Sequence, residues 1–461
     1  MSGGGSASVS AAGPQSLAFI IGASSVGTLI EWYDFYLYGI LAAFFGQHFL
    51  PADVKFADSF LYSLGVFWLG FLVRPIGAII FGHIGDLIGR KYTFMLTLVL
   101  MGAATFLVGC LPEYSAVGWL APVLLVALRL IQGLALGGEY GGAATYIAEH
   151  APDGKRGFYT SWIQTTATMG IVIALVVILS FRVGMGDVAF TDYGWRFPFL
   201  ISAFLVGLSG YIRMKMGESP LFKKLKEQGK SSRNPAADTY GSGKSWGRMI
   251  LVLLGATAPE GVVWYTGQFY ALAYMTTVLK VPYTTVYVVM AFALLFGAPF
   301  FVVFGWLSDH IGRRNIMTAG FLLAVITYIP VFQAMKDNAD NPVILGLLVF
   351  YLMILVTMVY GPIAAFLVEY FPAKVRYSSM SLPYHVGNGV FGGGVPFLVT
   401  WLGTKVFPMV PFAGLFYPMA VAGLGVIVSI AGISNTTRNT KIWDEVGGRP
   451  LADELADPRI P

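Results

Sequence analysis

Long apolar runs separated by short polar breaks fill this chain from residue 18 to residue 433. A membrane-spanning helix needs about 20 apolar residues. Segments that meet this length fall at 18–46, 57–84, 91–111, 119–149, 157–181, 194–215, 247–278, 283–309, 314–335, 342–371, 375–404 and 410–433. The pattern predicts an all-α membrane protein of twelve transmembrane helices. Several segments exceed the minimum, so tilt or protrusion is expected. The one long polar interruption, 216–246, divides the segments six and six.

A repeat supports the division. Gly82-His83-Ile84-Gly85-Asp86-Leu87-Ile88-Gly89-Arg90-Lys91 ends the second segment, and Gly305-Trp306-Leu307-Ser308-Asp309-His310-Ile311-Gly312-Arg313-Arg314 ends the eighth. Both follow G-x-x-x-D-x-I-G-R-[KR], 223 residues apart. A second pair agrees. Glu149 precedes Arg156 by seven residues after the fourth segment, and Glu369 precedes Arg376 by seven after the tenth. The expected organisation is a tail (1–17), a six-helix bundle (18–215), a linker (216–246), a second six-helix bundle (247–433) and a second tail (434–461). Duplicated halves in so apolar a chain point to a transporter, which rocks one half against the other.

Composition fits lipid as the main solvent: 56% of residues are hydrophobic and 11% charged, against about 25% charged in soluble proteins. Lys and Arg then orient the chain. Loops on the side of the repeated motifs carry 21 of the 29, opposite loops carry six, and Arg74 and Arg129 lie inside segments. The positive-inside rule makes the motif side, and both termini, cytoplasmic. The excess positive charge therefore reports topology, and no nucleic-acid partner is expected. Lys223, Lys224, Lys226, Lys230, Arg233 and Lys244 in the linker suit either a helix lying on an anionic leaflet or a solvated connection. The N-terminal stretch lacks the basic region of a signal peptide, and the single Cys110 excludes an intrachain disulfide.

Charge inside the segments is the best guide to function, because it is costly and normally faces a cavity or a partner. Glu31 and Asp34 share a face of the first helix, with Tyr38 one turn on. Either is a candidate proton carrier, and Glu139 and Glu260 are further acids to weigh. Arg74 and Arg129, with Gln132 three residues after the latter, are candidates to bind a substrate carboxylate in bidentate fashion. Glu260, Trp264, Tyr265 and Gln268 offer a cavity wall in the second half, and His385 and Asn388 lie at similar depth in the eleventh helix. The alternative for each arginine is a permanent ion pair that locks helix packing.

The repeated motif has its own chemistry. Gly82, Gly85 and Gly89 permit close helix approach. Asp86 can accept from backbone N–H groups at the start of another helix, and Arg90 can reach Glu149. Asp309, Arg313 and Glu369 form the second-half counterpart. Lys91, Arg156, Gly305, Gly312, Arg314 and Arg376 complete the candidate gate. Gly241-Ser242-Gly243-Lys244-Ser245 imitates a phosphate-binding loop, but Asp238 stands where its first glycine belongs and no strand precedes it. With no ATPase subunit implied, and no metal spacing among the five histidines, no cofactor is expected. An ion gradient must supply the energy.

The loop motif resembles that of the major facilitator superfamily. Glu31-Trp32-Tyr33-Asp34-Phe35, Arg74-Pro75-Ile76-Gly77, Arg129-x-x-Gln132-Gly133, Gly137-Gly138-Glu139, Trp195-Arg196-Phe197-Pro198-Phe199, Glu218-Ser219-Pro220 and Tyr360-Gly361-Pro362, in that order, narrow the resemblance to its metabolite–proton symporters. That group includes permeases for α-ketoglutarate, shikimate, citrate and proline/betaine. The resemblance implies a monomeric, proton-coupled importer of a small organic solute in a bacterial inner membrane, with the loop motifs as its cytoplasmic gate. Glu260 departs from the group's usual neutral residue. A mono- or dicarboxylate fits the arginines. A zwitterion such as proline or betaine fits the aromatics Trp32, Tyr33, Trp264 and Tyr265 by cation–π contact. An integral membrane enzyme or a non-transporting sensor is the alternative of another class.

Overall fold

The computed structural model describes residues 17–435 except 89, 139, 215–226 and 230–234, together with 439–442 and 444. Every regular element among the described residues is helical. Twelve helical segments result among the described residues, eight of them unbroken and apolar enough by themselves to cross a membrane, labelled here in chain order: α1 (17–49), α2 (56–88), α3 (Arg90–Cys110), α4 (Leu120–His150), α5 (Arg156–Met185), α6 (196–214), α7 (Gly243–Val278), α8 (Tyr283–Ile311), α9 (Arg313–Asp337), α10 (Pro342–Tyr370), α11 (376–406) and α12 (Ala413–Gly432).

Local chemistry sets several boundaries. Asn341 caps α10, its Oδ1 accepting from the backbone N–H of Val343 and Ile344, and Pro342 holds the first helical position. Gly312, at φ +101°, reverses the chain between α8 and α9, a conformation that favours glycine. Ser242 accepts from the N–H of Ser245 and starts α7 at Gly243, four residues earlier than the hydropathy pattern alone predicts. The phosphate-loop look-alike is therefore a helix cap.

Helices α2, α5, α8 and α11 make the seam between the bundles, α2 against α11 and α5 against α8. Helices α3, α6, α9 and α12 turn apolar side chains outward, among them Val99, Phe204, Ile326 and Ile427. That exposure is what a lipid solvent requires. Helices α7 and α11 contain π-helical turns, at Thr266–Tyr270 and Val386–Gly392 among others, close to mid-span. Such turns interrupt the regular register and recur at functional sites.

Pro235–Tyr240 is a short helix docked at the start of α11. Asp238 pairs with Lys374 at 2.7 Å, and the Tyr240 hydroxyl donates to the Ser378 carbonyl at 3.4 Å. Of the linker lysines and arginine named above, only Lys244 falls among the described residues.

Candidate functional site

The seam is closed at both ends. Away from the motifs, the Trp68 indole N–H donates to the Val390 carbonyl at 3.0 Å and the Tyr287 hydroxyl to the Ile40 carbonyl at 3.4 Å. Lys405 pairs with Asp58 at 2.6 Å near the surface. Beneath them Tyr36, Phe67 and Trp264 meet Phe269, and the residual space there is about 10 Å³. That is room for about one water.

On the motif side, charge closes the seam. Asp309 at the end of α8 accepts from the N–H groups of Gly157 (2.8 Å) and Phe158 (2.9 Å), the first turn of α5 in the other bundle. A carboxylate there also meets the positive end of the helix dipole. Arg313 bonds to Asp309 at 2.6 Å and clamps Glu369 with two hydrogen bonds, 2.9 and 3.2 Å. The repeated Glu/Arg pairs then exchange partners. Glu369 accepts from Arg156 at 3.1 Å, and Glu149 lies 3.6 Å from Arg376. Each acid thus meets the other half's arginine, and all four side chains are fully buried. The seven-residue spacing could be read from the sequence; the exchange could not.

Glycines make this closure possible. A Cβ on Gly157 would press on the Gly305 carbonyl, on Ser308 Oγ at 2.8 Å and on Arg313. Overpacking of this kind costs about 1–3 kcal/mol. Gly157→Ala is therefore expected to slow uptake about tenfold while leaving expression intact; a wild-type rate would show that the helices need not close this tightly. Gly82 lies against Tyr377 and Ser378 at the start of α11. Arg314 instead ties α9 to the end of α12 through the Ile433 carbonyl. Gly89 and Glu139, and the side chains of Asp86, Arg90 and Lys91, lie outside the described residues.

Between the closures is a polar centre at mid-span. Arg74 opens the second half of α2, just after a break at Val73, and is fully buried. Its guanidinium lies 5.2 Å from the Phe71 ring and 5.6 Å from the Trp32 ring. None of its three side-chain nitrogens makes a hydrogen bond to the described residues, the Tyr265 hydroxyl of α7 being the polar group beside it. Glu260 enters from α7, and its Oε2 accepts from Asn388 of α11 at 2.5 Å. Gln268 accepts from Thr168 of α5 at 3.2 Å, and Trp264 stacks on Tyr36. Tyr265 meets Phe71 edge-on. His385 is buried one turn before Asn388. The sequence candidates Arg74, Glu260, Trp264, Tyr265, Gln268, His385 and Asn388 therefore gather at the seam.

Arg129, Gln132, Tyr38 and Asp34 do not join them; they sit inside the first bundle. Arg129 donates to Gln132 at 2.7 Å, and Gln132 donates in turn to Thr105. The Phe35, Tyr38 and Phe67 rings surround the guanidinium at 4.3–5.6 Å. Asp34 accepts from the Ser202 hydroxyl of α6 and makes no ion pair with either arginine. Tyr33 points to α6, bonding to the Pro198 carbonyl. Glu31 is buried on the same helix.

Sequence reasoning missed several residues of the centre. Tyr140 stacks face to face on Tyr384 across the seam at 3.5 Å, and Tyr384 shares a hydrogen bond with Tyr360. Gln164 of α5 donates to the Tyr140 hydroxyl and the Tyr360 carbonyl. Their only sequence signal is the placement of tyrosine and glutamine at mid-depth in seam-forming helices.

Comparison with known proteins bears on this geometry. A family model described as sugar (and other) transporter matches residues 19–244. The α-ketoglutarate permease of Escherichia coli (strain K12) is 34% identical over 381 residues, covering 82% of this chain and 85% of that one. The shikimate transporter of the same strain is 34% identical over 406 residues, covering 86% and 89%. Its proline/betaine transporter is 30% identical over 453 residues, covering 95% and 86%. Among solved structures, the major facilitator superfamily proton:xylose symporter XylE superposes with a TM-score of 0.71 at 16% identity, over 92% of this chain and 97% of that one. That last likeness concerns the fold alone.

Proposed function

Since the chain belongs to the major facilitator superfamily, among the metabolite transporters that include those three relatives, we propose that it is a proton-coupled symporter importing a small organic solute held by its carboxylate on Arg74. It is a multi-pass membrane transporter and not an enzyme. The finer reading rests on one observation: a fully buried guanidinium at mid-span, on the seam between the bundles, whose three nitrogens make no hydrogen bond to the described residues. A bare charge in such a place costs several kcal/mol, and only a ligand that visits it makes the cost worthwhile. A carboxylate offers the matching bidentate acceptor.

Alternating access follows from the two closures. The motif side faces the cytoplasm of a bacterial cell by its charge bias. Its ion pairs hold the inner end shut while the aromatic end opens, and the reverse arrangement releases the solute inward. The proton is carried by Asp34, whose Oδ1 meets Ser202 and whose Oδ2 has no hydrogen-bond partner among the described residues. A carboxyl with one unused oxygen can take up or lose a proton without dismantling its hydrogen bond.

Uptake into proteoliposomes tests this directly, with α-ketoglutarate, shikimate, proline and betaine supplied one at a time. A gradient acidic outside is expected to drive accumulation, and uptake indifferent to the gradient would sink the coupling. Asp34→Asn is expected to bring the steady-state accumulation ratio down to about one while counterflow exchange continues. Normal accumulation by that variant would remove Asp34 from the proton path.

A further inference from the structure

The group opposite Arg74 narrows the substrate, given that Arg74 anchors a carboxylate. Glu260 is fully buried on α7 in the other bundle. One oxygen is held by Asn388 at 2.5 Å, and the other has no hydrogen-bond partner among the described residues. Arg74 and Glu260 lie close enough to act on each other electrostatically. They nevertheless form no ion pair within 4 Å. A Cβ on Gly389, the residue after Asn388, would touch the Arg74 side chain at 3.7 Å, so Glu260's partner and Arg74 are near neighbours across the seam.

The centre therefore holds unmet hydrogen-bonding capacity on both sides of the seam. It offers a donor fork on one bundle and a carboxyl oxygen on the other. A plain dicarboxylate could satisfy Arg74, but its second carboxylate and Glu260 could meet only by sharing a proton. A monocarboxylate would leave the Glu260 oxygen bare. A quaternary ammonium would supply positive charge and no N–H for that oxygen to accept. We propose that the transported solute is a small zwitterion whose carboxylate binds Arg74 and whose protonated amine donates to Glu260. Such a molecule pulls the two bundles together, so binding itself favours the closed seam. The aromatic surfaces of Trp32, Tyr36 and Trp264 suit the apolar body and the cationic end of the same molecule.

The test compares two probes of nearly equal shape. L-Proline carries a protonated ring amine, and cyclopentanecarboxylate has a methylene in its place. Wild-type protein in proteoliposomes is expected to take up proline about 100-fold faster, because a site built for an N–H rejects the analogue that lacks it. Glu260→Gln is expected to narrow that preference to less than about tenfold, with proline the substrate that loses. Arg74→Gln should lose both. Intrinsic tryptophan fluorescence and thermal unfolding of the variants in detergent confirm that they fold. Equal uptake of the two probes by wild-type protein overturns the zwitterion assignment, as does a Glu260→Gln variant that keeps the full preference. Uptake of either probe that survives in Arg74→Gln overturns the carboxylate anchor instead, and absence of uptake of both in wild-type protein counts against both readings.

Discussion

Arg74→Gln is expected to cut uptake of any carboxylate substrate by about 100- to 1000-fold and, at the same time, to raise the melting temperature of the empty protein. The first effect follows from two lost charge-assisted hydrogen bonds, each worth about 1.5–3 kcal/mol. The second follows from what surrounds the guanidinium before substrate arrives. It is fully buried beside Phe71 and Trp32, with none of its nitrogens hydrogen-bonded to the described residues. Replacing a desolvated, unpaired charge by a neutral amide relieves part of that cost, so unfolding in detergent should shift upward by a few degrees. Opposite signs for activity and stability mark a residue kept for function. A variant that unfolds earlier yet transports normally would make Arg74 a structural residue. Arg74→Lys keeps the charge and loses the planar fork, so an intermediate loss of about tenfold is expected.

The contrast between Arg74 and Arg129 shows how far the sequence could be read. Both are lone arginines inside apolar segments, and the sequence offers no means of separating them. In the structure a neighbouring amide three residues on and a backbone carbonyl take one nitrogen of Arg129, and three rings of its own bundle surround the other two, which make no hydrogen bond to the described residues. Arg74 has rings around it and makes no hydrogen bond to the described residues. The difference lies in which way each helix is turned, and that is set by contacts between distant segments. The spans were legible for the opposite reason. A bilayer imposes length and apolarity on each segment separately, so 283–309 and 157–181 anticipate Tyr283–Ile311 and Arg156–Met185 closely. Helix α7 shows an intermediate case. Glu260, Trp264 and Gln268 recur at four-residue steps, but the π-helical turn at Thr266–Tyr270 breaks that register near Gln268. The gate showed the same limit as the arginines. A repeat reveals that Glu149 and Glu369 are equivalent. It cannot reveal that each pairs across the seam, because a partner in the same half and a partner in the other half have the same sequence signature.

That exchange makes Glu369 the most exposed point of the closure to substitution. Two arginines converge on it, Arg156 from the first bundle and Arg313 from its own, and the side chains of all three are fully buried. Removing the carboxylate they share leaves Arg156 with only Asp153 and Arg313 with only Asp309 as acidic partners, at a cost of up to about 3–5 kcal/mol. Much of that cost falls on the closed form, because opening the motif side lets water reach the arginines. Glu369→Gln is therefore expected to move the resting population toward a form open on the motif side. A shift of 3 kcal/mol would change the open-to-closed ratio by about 150-fold. The chain's one native cysteine, Cys110, is exposed and can be replaced. A cysteine placed at Ser381, fully buried in α11 where Gly141 of α4 packs on it, then reports opening. Maleimide labelling at that position should be slow in the otherwise wild-type background and at least tenfold faster with Glu369→Gln. Glu149→Gln should act in the same direction but less strongly, since its contact to Arg376 is longer at 3.6 Å. Arg376 also keeps hydrogen bonds to the Val368 and Phe371 carbonyls. Labelling that stays slow in Glu369→Gln would show that the Asp309 carboxylate on the first turn of α5 suffices to hold the seam.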